Sequence, residues 1–107
     1  MISIKTFKKL ALSYPAATEH PHFEKTSFRV NKKIFATLDI KNMRACLLLS
    51  PMDQSVFSTF DKSVIYPVPN KWGLKGATYF ELNKLRFSML KDAITQAYKK
   101  IVSSKKH

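Results

Sequence analysis

Lysine and tryptophan lie close together in residues 64–82, which read VIYPVPNKWGLKGATYFEL. Trp72, the single tryptophan of the chain, has Lys71 beside it and Lys75 three residues further on. An ammonium group binds phosphate as a point charge, and an indole ring can pack on a sugar or a base. These residue types at this spacing therefore predict a contact site for a polyanion, with nucleic acid as the first candidate.

The prolines and glycines of the same segment predict its shape. Pro67 and Pro69 fix φ and lack a backbone N–H, while Gly73 and Gly76 permit a sharp turn. We expect a stiff surface loop between two strands, where binding residues concentrate. A structural alternative stays open for Trp72, in which the indole ring closes the end of the core.

Two predicted hairpin turns carry further cations. One contains Lys32 and Lys33, and the other lies at residues 41–44. Such turns can follow a nucleic-acid backbone, although lysine at a sheet edge also discourages aggregation. The candidate nucleic-acid contacts are then Arg29, Lys32, Lys33, Lys41, Arg44, Lys71, Trp72 and Lys75. Because arginine is scarce, we expect weak sequence preference.

Other residue combinations support weaker hypotheses. His20 and His22 could contribute to a metal site, but two histidines lack a third fixed ligand, and we predict no metal. A small-ligand pocket lined by His22, Tyr66 and Trp72 is a third option. Cys46 lies in an apolar strand and is expected to be a buried, inert thiol. No phosphate-binding glycine loop or activated nucleophile is recognisable, so we predict neither an enzyme nor a cofactor.

The overall charge favours a polyanionic partner. The chain of 107 residues has 19 Lys and Arg against 7 Asp and Glu, a formal net charge of +12. Such a field attracts nucleic acid, acidic proteins or anionic surfaces, although it can also serve solubility alone. With one cysteine, no secretory leader and no apolar run long enough to span a bilayer, we expect a cytoplasmic protein without membrane contact.

The apolar patterns predict a single α+β domain over residues 1–107, with a frayed tail at 103–107. Helices are expected at 3–14, at 51–60 and from about 88, the second burying Met52, Val56 and Phe60. Strands are expected at 26–30, 34–40, 44–49, 64–66 and 77–82, with Ile34, rather than Phe35, sharing the face of Ala36. The order α-β-β-β-α-β-β-α predicts a two-layer sandwich, an antiparallel sheet of about five strands with helices on one face.

Several motifs together resemble the MmcQ/YjbR-like family of small bacterial proteins. They are PHFEKTSFRV at 21–30, KIFA at 33–36, LLLSP at 47–51 and YPVPNKWGLKGATY at 66–79, with W-G-x-x-G-x-T the most specific part. The resemblance implies a two-layer fold like that of frataxin and secretion chaperones. It also implies DNA binding through a "double wing" of two β-hairpins, and it carries over no catalytic residues.

The leading hypothesis is a non-catalytic domain that holds duplex DNA by its phosphate backbone, through the lysine-tipped hairpins and the Trp72 loop. The alternative is a protein-interaction module of chaperone-like architecture that binds an acidic partner. The DNA hypothesis requires lysines that are distant in sequence to meet on one surface.

Overall fold

A computed structural model describes residues 1–103 as an α+β fold with one antiparallel sheet of six strands. The elements in chain order are α1 (Ile4–Leu12), β1 (Ala17–His22), β2 (Lys25–Val30), β3 (Lys33–Asp39), β4 (Arg44–Leu48), α2 (Pro51–Ser58), β5 (Ile65–Pro67), α3 (Lys71–Leu74), β6 (Ala77–Glu81) and α4 (Phe87–Ser103). The predicted fold class is confirmed, with one strand more than expected.

The strand order β1-β2-β3-β4-β6-β5 gives the sheet two distinct ends. One end, called here the Lys32 end, holds the β2–β3 turn, the junction of β4 with α2, and α3. The other, called the Phe23 end, holds the β1–β2 and β3–β4 turns and the points where β5 begins and β6 ends. Consecutive hairpins of a meander alternate between the two ends by necessity.

The core lies between the sheet and α1, α2 and α4. Phe28, Leu38, Leu47 and Phe80 are buried residues of the sheet, and the helices contribute Phe7, Phe57, Leu90 and Ile94. The opposite face of the sheet carries half-buried side chains such as Cys46 and Tyr79, which are cross-strand partners. This arrangement is compatible with a two-layer sandwich.

The first two helices begin at, or within one residue of, the predicted starts. The hydroxyl of Ser3 accepts a hydrogen bond from the backbone N–H of Thr6 at the start of α1. The hydroxyl of Ser50 accepts one from the backbone N–H of Asp53 at the start of α2, whose first residue is Pro51. Such caps satisfy backbone donors that have no partner within the helix.

β1 was not predicted. Its sequence, ATEHPH, lacks apolar alternation and contains Pro21, so no strand was expected before residue 26. Pro21 is tolerated because β1 is an edge strand, where one side of the backbone needs no partner in the sheet. Because β1 forms the edge, β2, which was predicted to be the first strand, lies inside the sheet.

Two predictions of side-chain orientation were wrong. The residues expected to be buried, Met52, Val56 and Phe60, are exposed. The buried residue of α2 is Phe57, which packs in the core. In β3 a register shift opposite Phe28 and Arg29 interrupts the alternation, so that Phe35 and Ala36 are both buried.

α4 ends at Ser103, so the frayed tail predicted for residues 103–107 otherwise lies outside the described residues. Within residues 1–103, no helix combines the length and the apolar character that a bilayer crossing needs.

Candidate functional site

The β2–β3 turn presents lysine at a tight two-residue connection. Val30 and Lys33 are paired, and between them Asn31 and Lys32 have φ angles of 50° and 71°. Two successive residues with positive φ are the mark of a type I′ turn, whose twist matches that of the flanking strands. Asn31 tolerates this conformation readily, whereas Lys32 is an unusual choice for it. Lys32 is exposed at the tip of this turn.

The predicted Trp72 loop contains a one-turn helix, α3. The side chain of Asn70 caps it by accepting a hydrogen bond of 2.8 Å from the backbone N–H of Trp72. The amide of Gln54 in α2 donates to the carbonyl oxygens of Gly73, at 2.8 Å, and Ala77, at 3.0 Å. α3 is therefore tied to α2 and to the start of β6.

Both glycines are required by close approaches of the backbone. A Cβ atom on Gly73 would lie 1.8 Å from the carbonyl oxygen of Val68, and one on Gly76 would lie 1.8 Å from that of Leu49. Gly76 also has a φ of 114°, which side chains rarely permit. The segment around Trp72 is thus a packed platform whose backbone lies directly against Val68 and Leu49.

Trp72 lies on the outside of this platform and does not close the core. Its side chain is 56% exposed, and Leu74 beside it is 82% exposed. The ammonium group of Lys75 lies 5.2 Å from the centroid of the Trp72 ring, within the range of a cation–π interaction. An exposed indole with an adjacent cation is an arrangement that can contact a sugar-phosphate chain.

The Lys32 end also receives the C-terminal turn of α4, which sequence reasoning did not include in the site. Tyr98 stacks on Tyr14 with 4.8 Å between ring centroids, and its hydroxyl donates to the carbonyl oxygen of Pro15. This contact brings Lys99 and Lys100, both exposed, to the same end as the β2–β3 turn. The position of Lys99 and Lys100 could have been predicted from the direction of α4, but that direction depends on the order of all the strands.

Acidic residues are distributed unequally between the two ends. Four of them lie in turns or at strand ends of the Phe23 end: Glu24, Asp39, Asp61 and Glu81. Among side chains of residues 1–103, Asp53 in the first turn of α2 is the acidic group at the Lys32 end. Glu19, in the middle of β1, is paired with Lys8 at 3.1 Å. Acidic groups are therefore fewer at the Lys32 end than at the Phe23 end.

The structure does not bring all eight predicted contacts together. Arg29, the residue before Val30, lies near the Lys32 end with the lysines of the β2–β3 turn and of α3, but its Nε donates to the hydroxyl of Ser27 at 3.0 Å. Lys41 and Arg44 lie at the Phe23 end, one length of β3 away, or about 23 Å. Two of the predicted contacts thus belong to a different region.

The predicted ligand pocket of His22, Tyr66 and Trp72 does not form. His22 lies on β1, at one edge of the sheet, and Tyr66 lies on β5, at the other. Five strand spacings separate those edges, or about 24 Å, and Trp72 is at the Lys32 end. The unrecognised β1 strand is the reason, since it carries His22 outward.

Comparison with known proteins identifies the family. The family model YjbR matches residues 12–100. The chain belongs to the YjbR family. A crystal structure of the Deinococcus radiodurans protein DR2400, with the family-model domain DUF419, superposes with a TM-score of 0.80 at 20% identity, covering 99% of this chain and 81% of that one. At that identity the likeness shows the fold alone, and the chain has no significant match among curated proteins.

The exposed face of this YjbR-family sheet holds a polar cluster at the Phe23 end. The guanidinium carbon of Arg44 lies 4.0 Å from the centroid of the Tyr79 ring, and the Tyr66 hydroxyl donates to Glu81. The adjacent Tyr66 hydroxyl raises the pKa of Arg44, so the group stays cationic. Arg44 is therefore committed to contacts inside the protein, and its Nε is buried without a partner among the described residues.

Cys46 is half-buried on the same face, and burial raises the pKa of its thiol. A thiol with a raised pKa is mostly protonated at neutral pH and reacts slowly. Among residues 1–103, no three His, Cys, Asp or Glu side chains are close enough to share a metal ion.

Proposed function

We propose that this YjbR-family protein binds duplex DNA through the phosphate backbone at the Lys32 end of its sheet. The observation that carries the proposal is the separation of charge along the strands: cations from three elements meet where acidic side chains are few. These cations are Lys32, Lys33, Lys71, Lys75, Lys99 and Lys100. The proposal needs no catalytic residue, and it implies a cytoplasmic location.

The spacing of the two lysine groups fits a duplex. The β2–β3 turn and α3, which joins β5 to β6, are about three strand spacings apart, or about 14 Å. That span equals about four base pairs along the helix axis. Lysines at this separation can reach different phosphates of one duplex, and Trp72 can pack on a sugar between them.

A preference for particular base sequences is not part of the proposal. Bidentate recognition of guanine needs arginine in a groove, and Arg29 and Arg44 both have contacts within the sheet. Binding is then dominated by counterion release, so the logarithm of the affinity falls linearly with the logarithm of the salt concentration.

The test is a titration of a labelled duplex over a salt series with a pair of charge-matched variants. Lys32→Gln with Lys33→Gln should lower the affinity and reduce the salt slope by about 2, because two phosphate contacts are lost. Lys5→Gln with Lys91→Gln, away from the Lys32 end, removes the same net charge and should leave most of the slope in place. Equal slopes for the two variants, or binding that is insensitive to salt, would exclude the proposal.

An acidic protein partner is the competing function, since the same cations would attract it. Polyglutamate and duplex DNA of matched charge separate the two. The DNA proposal predicts that unlabelled duplex displaces the labelled duplex at a far lower concentration than polyglutamate does. The reason is that Trp72 can pack on a sugar and the lysines are spaced for phosphates. Stronger competition by polyglutamate would favour the acidic protein.

A further inference from the structure

Phe23 occupies a position that an isolated domain would not favour. It is the first residue of the two-residue turn between His22 and Lys25, with a φ of 59°, where large side chains are rare. Its side chain is 96% exposed and has a ring contact with His22, 5.0 Å between centroids. A contact with an apolar surface would explain why an aromatic ring is kept at a strained, exposed position.

A groove on the helix side of the sheet provides a matching apolar surface. It lies between the end of α2, the start of β5 and the first turn of α4, and has a volume of about 310 Å³. Phe60, Val64, Leu85 and Met89 form its apolar wall, and the Phe60 side chain is 62% exposed. This volume is at the lower limit for ligand pockets and suits one large side chain.

Charged residues around the groove complement those around Phe23. Lys84 and Arg86 line the groove together with Asp61. In the β1–β2 turn, Phe23 is followed by Glu24 and Lys25. The turn and the groove thus each carry acidic and basic groups, so that Glu24 could pair with a cation of the groove when the ring is inserted.

The positions of the two features are compatible with a symmetric pair. Both lie at the Phe23 end, but Phe23 belongs to the edge formed by β1, and the groove lies beside β5 at the opposite edge. When two copies meet at their Phe23 ends across a two-fold axis normal to the sheet, each Phe23 faces the groove of the other copy. Such an interface is isologous and closes at two subunits.

We infer that a second copy of this chain occupies the groove, with Phe23 of each copy inserted between Phe60 and Met89 of the other. The contact explains why an aromatic residue is held at an exposed turn and why Phe60 is uncovered. Acidic groups at the Phe23 end reduce repulsion between two strongly basic chains there. The Lys32 ends point away from each other and stay free, so the dimer is independent of DNA binding.

Sedimentation velocity of the full chain, from micromolar to millimolar concentration at physiological salt, tests this inference. We expect a reversible monomer–dimer equilibrium. Phe23→Asn should raise the dimer Kd by at least about a hundredfold, because the symmetric dimer loses two buried aromatic rings. Asparagine adopts a positive φ readily, so this variant keeps the turn. The matched control is Leu74→Asn, at a largely exposed apolar residue of the Lys32 end, and it should leave the Kd unchanged.

A charge exchange tests the geometry of the contact. Glu24→Lys and Lys84→Glu should each weaken the dimer, and the two together should restore part of the affinity. A chain that stays monomeric at millimolar concentration would overturn the inference, as would a dimer that Leu74→Asn weakens as much as Phe23→Asn does. Weaker duplex binding by Phe23→Asn with unchanged self-association would instead assign the ring to nucleic acid.

Discussion

The two ends of the sheet expose turns of different chemical character. At the Lys32 end, Asn31 and Lys32 have positive φ angles in the β2–β3 turn, and lysine is the dominant exposed side chain. At the Phe23 end, Phe23 and Met43 have φ angles of 59° and 50°, and acidic and basic groups alternate. A polyanion is attracted by the first pattern, whereas the second, with an exposed ring and mixed charge, is typical of protein contacts.

This difference shows why the total charge of +12 is a poor guide to function by itself. Consecutive turns between antiparallel strands lie at opposite ends of the sheet. Lys32 and Lys41 therefore cannot both contact a ligand bound at one end. The placement of the acidic residues decides which end has the stronger field.

The largest expected effect concerns the backbone of the Lys32 end. Gly76→Ala should lower the free energy of unfolding by about 3–5 kcal/mol, because the added Cβ meets the carbonyl oxygen of Leu49 and alanine disfavours a φ of 114°. Urea unfolding followed by circular dichroism measures the change.

A control substitution at the opposite end should change the free energy of unfolding in the opposite direction. Phe23→Gly should leave the stability unchanged or raise it by up to about 1 kcal/mol, since glycine adopts a φ of 59° without strain. If Gly76→Ala were tolerated, with a loss below about 1 kcal/mol, the Trp72 platform would not be as tightly packed as described.

An intermediate effect separates binding from stability at Trp72. Trp72→Ala should lower the free energy of unfolding by about 1–2 kcal/mol, because the side chain is 56% exposed and buries less than half of its surface, and should weaken duplex binding by about 1 kcal/mol. Parallel urea unfolding and duplex titration provide the two values. A loss of stability of about 3–5 kcal/mol with unchanged binding would mean that the ring serves the core.

The smallest effect is a pH dependence confined to the Phe23 end. The side-chain amide and backbone N–H of Asn42 donate to the Asp39 carboxylate at 2.8 and 3.2 Å and hold its pKa below the ordinary 3.8. A depressed folded pKa adds stability that is fully present above pH 3.8 and is lost as the pH falls through the folded pKa.

Asn42→Ala should remove this contribution, which we expect to be less than about 1 kcal/mol for a pair near the surface. The difference in unfolding free energy between the native chain and the variant should therefore shrink on acidification from pH 7. A difference that grows as the pH falls would contradict the role given to Asn42.

Local signals predicted more of the fold than of the site. Helix starts were expected at residues 3 and 51, and Ser3 and Ser50 cap the helices there, because caps depend on a few neighbouring residues. β1 was missed because an edge strand needs little apolar alternation. Phe35 was assigned to the wrong face because a register shift is a property of two strands, not of one segment.

The candidate site depends on relations that no single segment contains. The approach of Lys99 and Lys100 to the β2–β3 turn requires the strand order and the direction of α4. The alternation of hairpin ends was available from the meander itself, and it already places Lys41 away from Lys32. The exposure of Trp72 required knowledge of how Gly73 and Gly76 bring the backbone against Val68 and Leu49.

Backbone amide NMR of the labelled chain, titrated with a short duplex at low salt, tests the central claim most directly. The account predicts that the largest shift changes fall at Asn31, Lys32, Gly76 and the indole N–H of Trp72, with little change at Phe23 and Lys41. Changes centred on the β1–β2 and β3–β4 turns, or spread evenly over the surface, would contradict it.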